Sequence, residues 1–211
     1  METLIPFLSI LGALTLGAVS PGPSFVFVVR TSLALSRRDG IAAALGMGAG
    51  GVIFAGLALF GLQAVLAKIA WLYAALRLAG GLYLLYLAFR LWRGAVEPIV
   101  VPSSAERRAP GPLRSFWLGL ATQLSNPKTA IVYGSIFAAL LPPAPPAWIF
   151  VALPPAVMLI EIGWYTIVAV TFSSERPRAA YLRGKRWIDR AAGAVMGALG
   201  LRLMIETARP G

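Results

Sequence analysis

The chain contains neither cysteine nor histidine. These absences exclude disulfides, thiolate or imidazole zinc sites, and every catalytic triad built on imidazole. Acidic residues are also scarce, at 8 Asp and Glu against 19 Lys and Arg. An intramembrane enzyme would therefore lack a recognisable catalytic set. We predict no enzymatic activity, no catalytic residues, no metal site and no cofactor.

Charge of either sign is rare in this chain. Charged residues make up 13% and hydrophobic residues 58% of the 211 residues, and the mean hydropathy is +0.77. Soluble domains carry about 25% charged and roughly 45–50% apolar residues. We therefore expect a single transmembrane domain over residues 1–211, a helical bundle whose outer face meets the lipid bilayer.

Six long apolar runs follow one another along the sequence. A helix needs about 20 apolar residues to cross a bilayer, and all but the last run clearly reach that length. The pattern predicts an all-α membrane protein with six transmembrane helices. The runs cover residues 4–29, 41–67, 69–92, 115–141, 147–172 and 191–205.

Basic residues between the runs predict the orientation, because short loops rich in Lys and Arg stay cytoplasmic. The second loop offers Lys68, and the fourth, residues 142–146, has no charge. Both termini are then expected outside. The basic residues behind the net charge of +11 thus lie at alternate helix ends as orientation signals. This distribution argues against nucleic-acid binding. The basic loops contain Arg30, Arg37 and Arg38; Arg93, Arg107, Arg108 and Arg114; and Arg176, Arg178, Arg183, Lys185, Arg186 and Arg190.

The two halves of the chain resemble each other. A polar, proline-containing stretch at residues 94–114 separates residues 1–93 from residues 115–211. Proline interrupts an apolar run at corresponding places, in residues 19–24 and in residues 124–129. With three helices in each half, the second half would enter the membrane upside down. The sequence therefore predicts two inverted three-helix repeats, the architecture of many alternating-access transporters.

The proline-interrupted points could bind a ligand. Pro21, Pro23 and Pro127 have no amide hydrogen, so the carbonyls of Gly17, Val19 and Gln123 would lose their helical partners. A helix that restarts after such a break favours a carboxylate at its N-terminus. The alternative is a simple kink whose carbonyls are satisfied locally by serine or threonine. The predicted substrate-binding residues are Pro21, Gly22, Pro23, Asn126, Pro127 and Lys128.

Charged residues inside the apolar runs are the other candidates. Glu161 lies near the centre of the fifth run and Lys128 near the centre of the fourth, where each costs roughly 2.5–3.5 kcal/mol. We expect Glu161 to take part in substrate or proton coupling, and Lys128 to contact a substrate carboxylate or Glu161. A buried ion pair that fixes helix register is the alternative. Arg77 is expected to snorkel toward a surface or to line a wet cavity.

Glycines and a proline pair mark places where helices could pack or bend. The segment 46–51 contains a formal G-x-G-x-x-G, but no strand precedes it, so close helix packing is favoured over dinucleotide binding. Gly193 and Gly197 repeat the four-residue spacing of Gly46 and Gly50. Pro154-Pro155 predicts either a break that shapes a cavity or a plain kink.

These motifs together resemble the LysE/RhtB family of amino-acid exporters. The resemblance covers nearly the whole chain, and it implies efflux of amino acids or related small metabolites, coupling to protons, and location in a bacterial cytoplasmic membrane. It also places Glu161 where family members often carry an acid. The matching motifs are Ser20-Pro21-Gly22-Pro23, Arg37-Arg38-Asp39-Gly40, residues 80–87 (GGLYLLYL) and Asn126-Pro127-Lys128.

Three alternatives to an amino-acid exporter stay open at this level. A metal-ion or other cation exporter or channel would normally need several carboxylates at depth, and only Glu161 qualifies. An intramembrane enzyme and a non-transporting scaffold are further alternatives. The sequence does not identify the solute, the coupling ion or the oligomeric state, including whether the chain forms a homo-oligomer.

Overall fold

The computed structural model describes residues 4–68, 70–95, 111–142, 144–173 and 175–208, without the side chains of 62–73, 76 and 174–182. This part of the chain is all helical, with eight helices and no strand. The middle of the predicted connector, residues 96–110, lies outside it. The helices are α1 (Leu4–Val19), α2 (Pro23–Ala34), α3 (Arg37–Lys68), α4 (Ala70–Gly94), α5 (Pro112–Leu124), α6 (Pro127–Leu140), α7 (Ala147–Phe172) and α8 (Glu175–Ala208).

The first and fourth apolar runs are each divided into two helices. A 54° bend separates α1 from α2, and α2 starts at Pro23 after the extended residue Gly22. In the same way, α5 ends at Leu124 and α6 starts at Pro127. Proline fits the first position of a helix because its missing amide would have no partner there. The proline positions thus predicted both breaks.

The structure corrects the predicted sixth run and excludes one of the two alternatives at Pro154-Pro155, the break. The sixth run is not short, because α8 includes the basic segment that was expected to be a loop. Lys185 and Asp189, spaced i and i+4, form an ion pair that stabilises the added turns. Pro154-Pro155 does not end a helix, since α7 continues through both residues.

Among the residues that the structure describes, three segments are long and apolar enough to cross a bilayer: Arg37–Gly61, Ala147–Phe172 and Arg183–Ala208. The bent pair α1 and α2 makes a fourth if it forms one span. The arrangement of six spans in two inverted repeats therefore stays a prediction. The helix order is nevertheless the same in both halves, with two short helices followed by two long ones.

One face of α7 is suited to lipid and the opposite face to the bundle interior. Large apolar side chains lie eight residues apart on the outer face, with 57–75% of their surface exposed. The buried residues repeat every three or four positions, as expected for an amphipathic helix. This stripe places Glu161, which is 3% exposed, inside the bundle. The exposed residues are Val151, Leu159 and Ile167; the buried ones include Leu153, Val157, Glu161, Tyr165 and Val168.

Glycines mediate the closest helix crossings, as the packing interpretation predicted. A Cβ atom at Gly46 of α3 would lie 2.1 Å from the main-chain oxygen of Phe116 in α5. A Cβ atom at Gly193 of α8 would lie 2.4 Å from the indole of Trp92 in α4. Such contacts let helices approach where lipid provides no hydrophobic drive.

Arg77 is explained by a partner that the sequence analysis did not identify. Its guanidinium forms an ion pair with Glu206, near the end of α8. Arg202 contacts the other oxygen of the same carboxylate. The ion pair joins α4 to α8, and the side chain of Arg77 is largely covered, at 17% exposed.

Candidate functional site

The two helix breaks meet through the side chain of Lys128. Its ammonium group donates to the carbonyl oxygen of Ser20 at 3.1 Å and to the hydroxyl of Ser20 at 3.3 Å. The carbonyl oxygen of Gly17 lies 3.5 Å away. Lysine from the second break therefore satisfies carbonyl groups at the first.

Asn126 joins the same two segments from the other direction. Its side-chain amide donates to the hydroxyl of Ser24 at 2.9 Å, while its carbonyl oxygen accepts from the amide of Lys128 at 3.0 Å. The start of α6 therefore has a side-chain cap on the amide of Lys128. The start of α2 has no side-chain cap.

The carbonyl of Gln123 was expected to lack a partner, and that expectation is wrong. The chain turns tightly after α5, so the amide of Asn126 donates to the Gln123 oxygen at 3.2 Å. Local backbone geometry thus compensates for the hydrogen bond that Pro127 cannot make. At the first break, by contrast, the Gly17 carbonyl has Lys128 as a donor.

Glu161 accepts one hydrogen bond on each carboxylate oxygen. The Tyr133 hydroxyl donates to Oε1 at 2.8 Å, and the Gln123 amide donates to Oε2 at 3.2 Å. The Ser24 hydroxyl in turn donates to the Gln123 oxygen at 2.7 Å. An uninterrupted chain of hydrogen bonds therefore links Glu161, through Gln123 and Ser24, to Asn126 at the second break.

Three side chains of this network were not predicted to contact Glu161 or the second break: Ser24, which was considered only as a local partner for the freed carbonyls, Gln123 and Tyr133. Each was one more polar residue in an apolar run, and helical position alone did not say which of them faced the interior. Closeness in sequence to a helix break could have identified two of these residues. Ser24 and Gln123 lie within three residues of the two breaks.

Lys128 and Glu161 do not form the ion pair considered as the alternative. Among the residues that the structure describes, the Lys128 ammonium has no carboxylate oxygen within 4.0 Å, since the ion pairs found there involve other residues. Both side chains do line one small cavity of about 30 Å³. That volume suits a water molecule and is too small for an organic solute.

A larger, partly open cavity of about 510 Å³ lies on the other side of the breaks. Gly22, Asn126 and Lys128 line both cavities and therefore separate them. All six predicted substrate-binding residues line the larger cavity, whereas Glu161 lines only the smaller one. The volume lies within the range of about 300–1,000 Å³ typical of small-molecule sites.

The larger cavity is also lined by an ion pair, Lys185 and Asp189. Both residues lie in a segment that was predicted to be a loop. Lys185 donates to Asp189 at 2.7 Å and to the carbonyl oxygen of Gly94 at 2.8 Å. Arg90 also lines this cavity. Within the described part of the chain, no group of three acidic residues is arranged to hold a metal ion.

Comparison with known proteins identifies the family of this chain. The family model of the LysE type translocators matches residues 15–207. The threonine efflux protein of Escherichia coli strain K12 is 34% identical over 209 residues, which is 96% of this chain and 99% of that protein. The threonine efflux protein of Salmonella typhi is 37% identical over 194 residues, covering 89% and 92% of the two chains. No solved structure matches the chain.

A second kind of relative is named only as a membrane protein. The uncharacterized membrane protein YahN of Escherichia coli strain K12 is 34% identical over 188 residues, covering 89% of this chain and 83% of that protein. The family and these relatives indicate a multi-pass bacterial membrane transporter and not an enzyme. The resemblance seen in the motifs is therefore confirmed, and the chain belongs to the LysE type translocator family.

Proposed function

We propose that this protein exports amino acids of the threonine type from the cytoplasm, using the two helix breaks as its substrate site. The observation that carries the proposal is the direct contact between the breaks, made by Lys128 and Asn126 at the edge of a cavity of about 510 Å³. The threonine efflux proteins related to this chain support the same solute class.

Lys128 binds the substrate carboxylate. Its ammonium group already holds neutral oxygens of Ser20 and Gly17, and a carboxylate is a stronger acceptor than either. The uncapped start of α2 adds a positive dipole end beside it. A carboxylate that enters the cavity replaces one of the neutral oxygens around the ammonium group.

The cavity opens toward the cytoplasm. It is lined by the C-terminal part of α4 and by Lys185 and Asp189 of α8, which the positive-inside rule assigns to that side. A cavity open to the cytoplasm suits a state in which substrate is loaded.

Glu161 couples transport to the proton gradient. It is buried, faces the smaller cavity and is joined to the substrate site by the chain through Gln123 and Ser24. A proton on Glu161 changes which groups it can donate to or accept from, and this rearranges the network that holds Asn126. Loading and release of a proton can therefore alter the substrate site without direct contact.

Six spans in two inverted repeats, with both termini outside, complete the proposal. The repeated order of two short and two long helices supports it, as does the meeting of the two breaks. Equivalent halves of opposite orientation provide two similar conformations, one open to each side of the membrane. Residues 1–93 and 115–211 are the two repeats.

The test is efflux from proteoliposomes loaded with a panel of radiolabelled amino acids under an imposed pH gradient. We expect gradient-dependent efflux of threonine and of close analogues by the wild-type protein. Efflux that is independent of the gradient would overturn the coupling role alone. No efflux of any amino acid from liposomes that contain folded protein would overturn the proposal.

A further inference from the structure

Asp189 has a buried carboxylate oxygen without a hydrogen-bond partner. Its Oδ2 accepts from Lys185 at 2.7 Å, whereas Oδ1 has no partner among the described residues. The residue is 3% exposed and lines the larger cavity. A buried unpaired carboxylate oxygen is costly and calls for a donor.

The other buried carboxylates that the structure describes have both oxygens engaged. Tyr133 and Gln123 occupy those of Glu161, and serine hydroxyls occupy those of Asp39. Each of these oxygens already has a donor. Among the buried carboxylates that the structure describes, Asp189 therefore has the oxygen without a partner.

Asp189 lines a cavity that also carries positive charge, although Oδ1 itself has less than 1 Å² of accessible surface. Lys128 lines the same cavity. Arg90 lines the cavity as well. A single cavity is therefore lined by a carboxylate residue with an unpartnered oxygen and by an ammonium group that suits an anion. This pairing matches the two charges of an α-amino acid zwitterion.

We propose that Asp189 binds the α-ammonium group of the substrate through Oδ1 while Lys128 binds its carboxylate. This inference rests on the proposed export function and adds to it the residue that distinguishes amino acids from other organic acids. Lys185 is a positioning residue, which engages Oδ2 and leaves Oδ1 as the acceptor for the ligand. Glu161, which does not line this cavity, is left for coupling.

The test is a binding measurement on the detergent-solubilised protein with three probes. These are L-threonine, 2,3-dihydroxybutyrate, which has a hydroxyl in place of the ammonium group, and L-threoninamide, which lacks the carboxylate. The Asp189→Asn variant should bind threonine about 10- to 100-fold more weakly, because a hydrogen bond to a charged group is lost. Its affinity for dihydroxybutyrate should be unchanged or higher.

Two further variants separate binding from folding. Lys185→Gln combined with Asp189→Asn leaves no unpaired charge, and it should show the same loss of preference for threonine over the hydroxy acid. Glu206→Gln removes a carboxylate of α8 that does not line the cavity, and it should keep the wild-type preference. Thermal denaturation of each variant checks that it is folded.

The outcomes distinguish this inference from the function on which it rests. A wild-type protein that binds none of the three probes overturns both. A wild-type protein that binds threonine, with an Asp189→Asn variant that keeps the same ratio of affinities for threonine and dihydroxybutyrate, overturns only the role of Asp189. A variant that loses affinity for all probes equally assigns Asp189 a structural role and also overturns the inference.

Discussion

The ammonium group of Lys128 lies 3.1 Å from the carbonyl oxygen of Ser20. Lys128 lies in the first turn of the helix after the second break, and Ser20 follows the end of the helix before the first. The contact joins two points that lie 108 residues apart in the chain. It holds the two helix breaks together.

Removing the ammonium group of Lys128 should stop export. In Lys128→Met the apolar stem is kept, but the carbonyls of Ser20 and Gly17 lose their donor and the substrate carboxylate loses its partner. We expect the initial rate of threonine efflux from proteoliposomes to fall at least about tenfold, since a charge-assisted hydrogen bond contributes about 1.5–3 kcal/mol. Arg30→Gln, at an exposed position of α2, is the matched control and should keep the wild-type rate.

Replacing Glu161 by its amide should uncouple transport. Glu161→Gln keeps the size of the side chain but cannot exchange a proton, so threonine counterflow should persist while efflux driven by a pH gradient is lost. Tyr133→Phe retains the carboxylate and should retain the dependence on the gradient. An amide variant whose efflux responds to the gradient as the wild type does would remove Glu161 from the mechanism.

The crossing of α3 and α5 should not tolerate a methyl group. A Cβ atom would lie 2.1 Å from the Phe116 oxygen at Gly46, and 2.4 Å from the Ala43 oxygen at Gly119. Gly46→Ala and Gly119→Ala should each destabilise the protein by about 1–3 kcal/mol, measured as earlier thermal denaturation in detergent. At Gly56, also in α3, nothing lies within 4 Å of the added atom.

Gly56→Ala is therefore the control for the crossing, and it should be neutral or stabilising by up to about 1 kcal/mol through helix propensity. If all three alanine variants denatured together with the wild type, α3 and α5 would not approach each other as closely as described. The crossing would then contribute little to stability.

The absence of cysteine makes the membrane orientation easy to test. Single cysteines introduced as Arg38→Cys and Ser173→Cys should react with an impermeant maleimide only after the cells are permeabilised, because both positions flank basic segments expected in the cytoplasm. Ala144→Cys, in the uncharged loop before α7, should react in intact cells. All three positions are exposed. Labelling of Ala144→Cys and Arg38→Cys from the same side would reject the proposed topology.

The sequence predicts local breaks better than it predicts helix ends. Proline fixes the start of α2 and of α6 because its chemistry acts within its own turn. The part of α8 before the predicted run also packs on α4, where Lys185 donates to the Gly94 carbonyl, and hydropathy does not register this contact. Pro154-Pro155 shows the reverse case, since α7 continues through prolines that would end a less supported helix.

The site was predicted in part for the same reason. Lys128 and Glu161 stand out because charge inside an apolar run is costly wherever it points. Ser24, Gln123 and Tyr133 are inexpensive in a helix, so only their packing shows that they connect the break to Glu161. Asp189 was obscured by its basic neighbours, because a loop was expected where α8 brings it to the cavity wall.

A structure determined with saturating threonine tests the central claim most directly. We expect the bound amino acid in the larger cavity, with its carboxylate within hydrogen-bond distance of the Lys128 ammonium and its body between residues 20–23 and 126–128. Threonine bound elsewhere, with the two breaks apart and facing lipid, would contradict it.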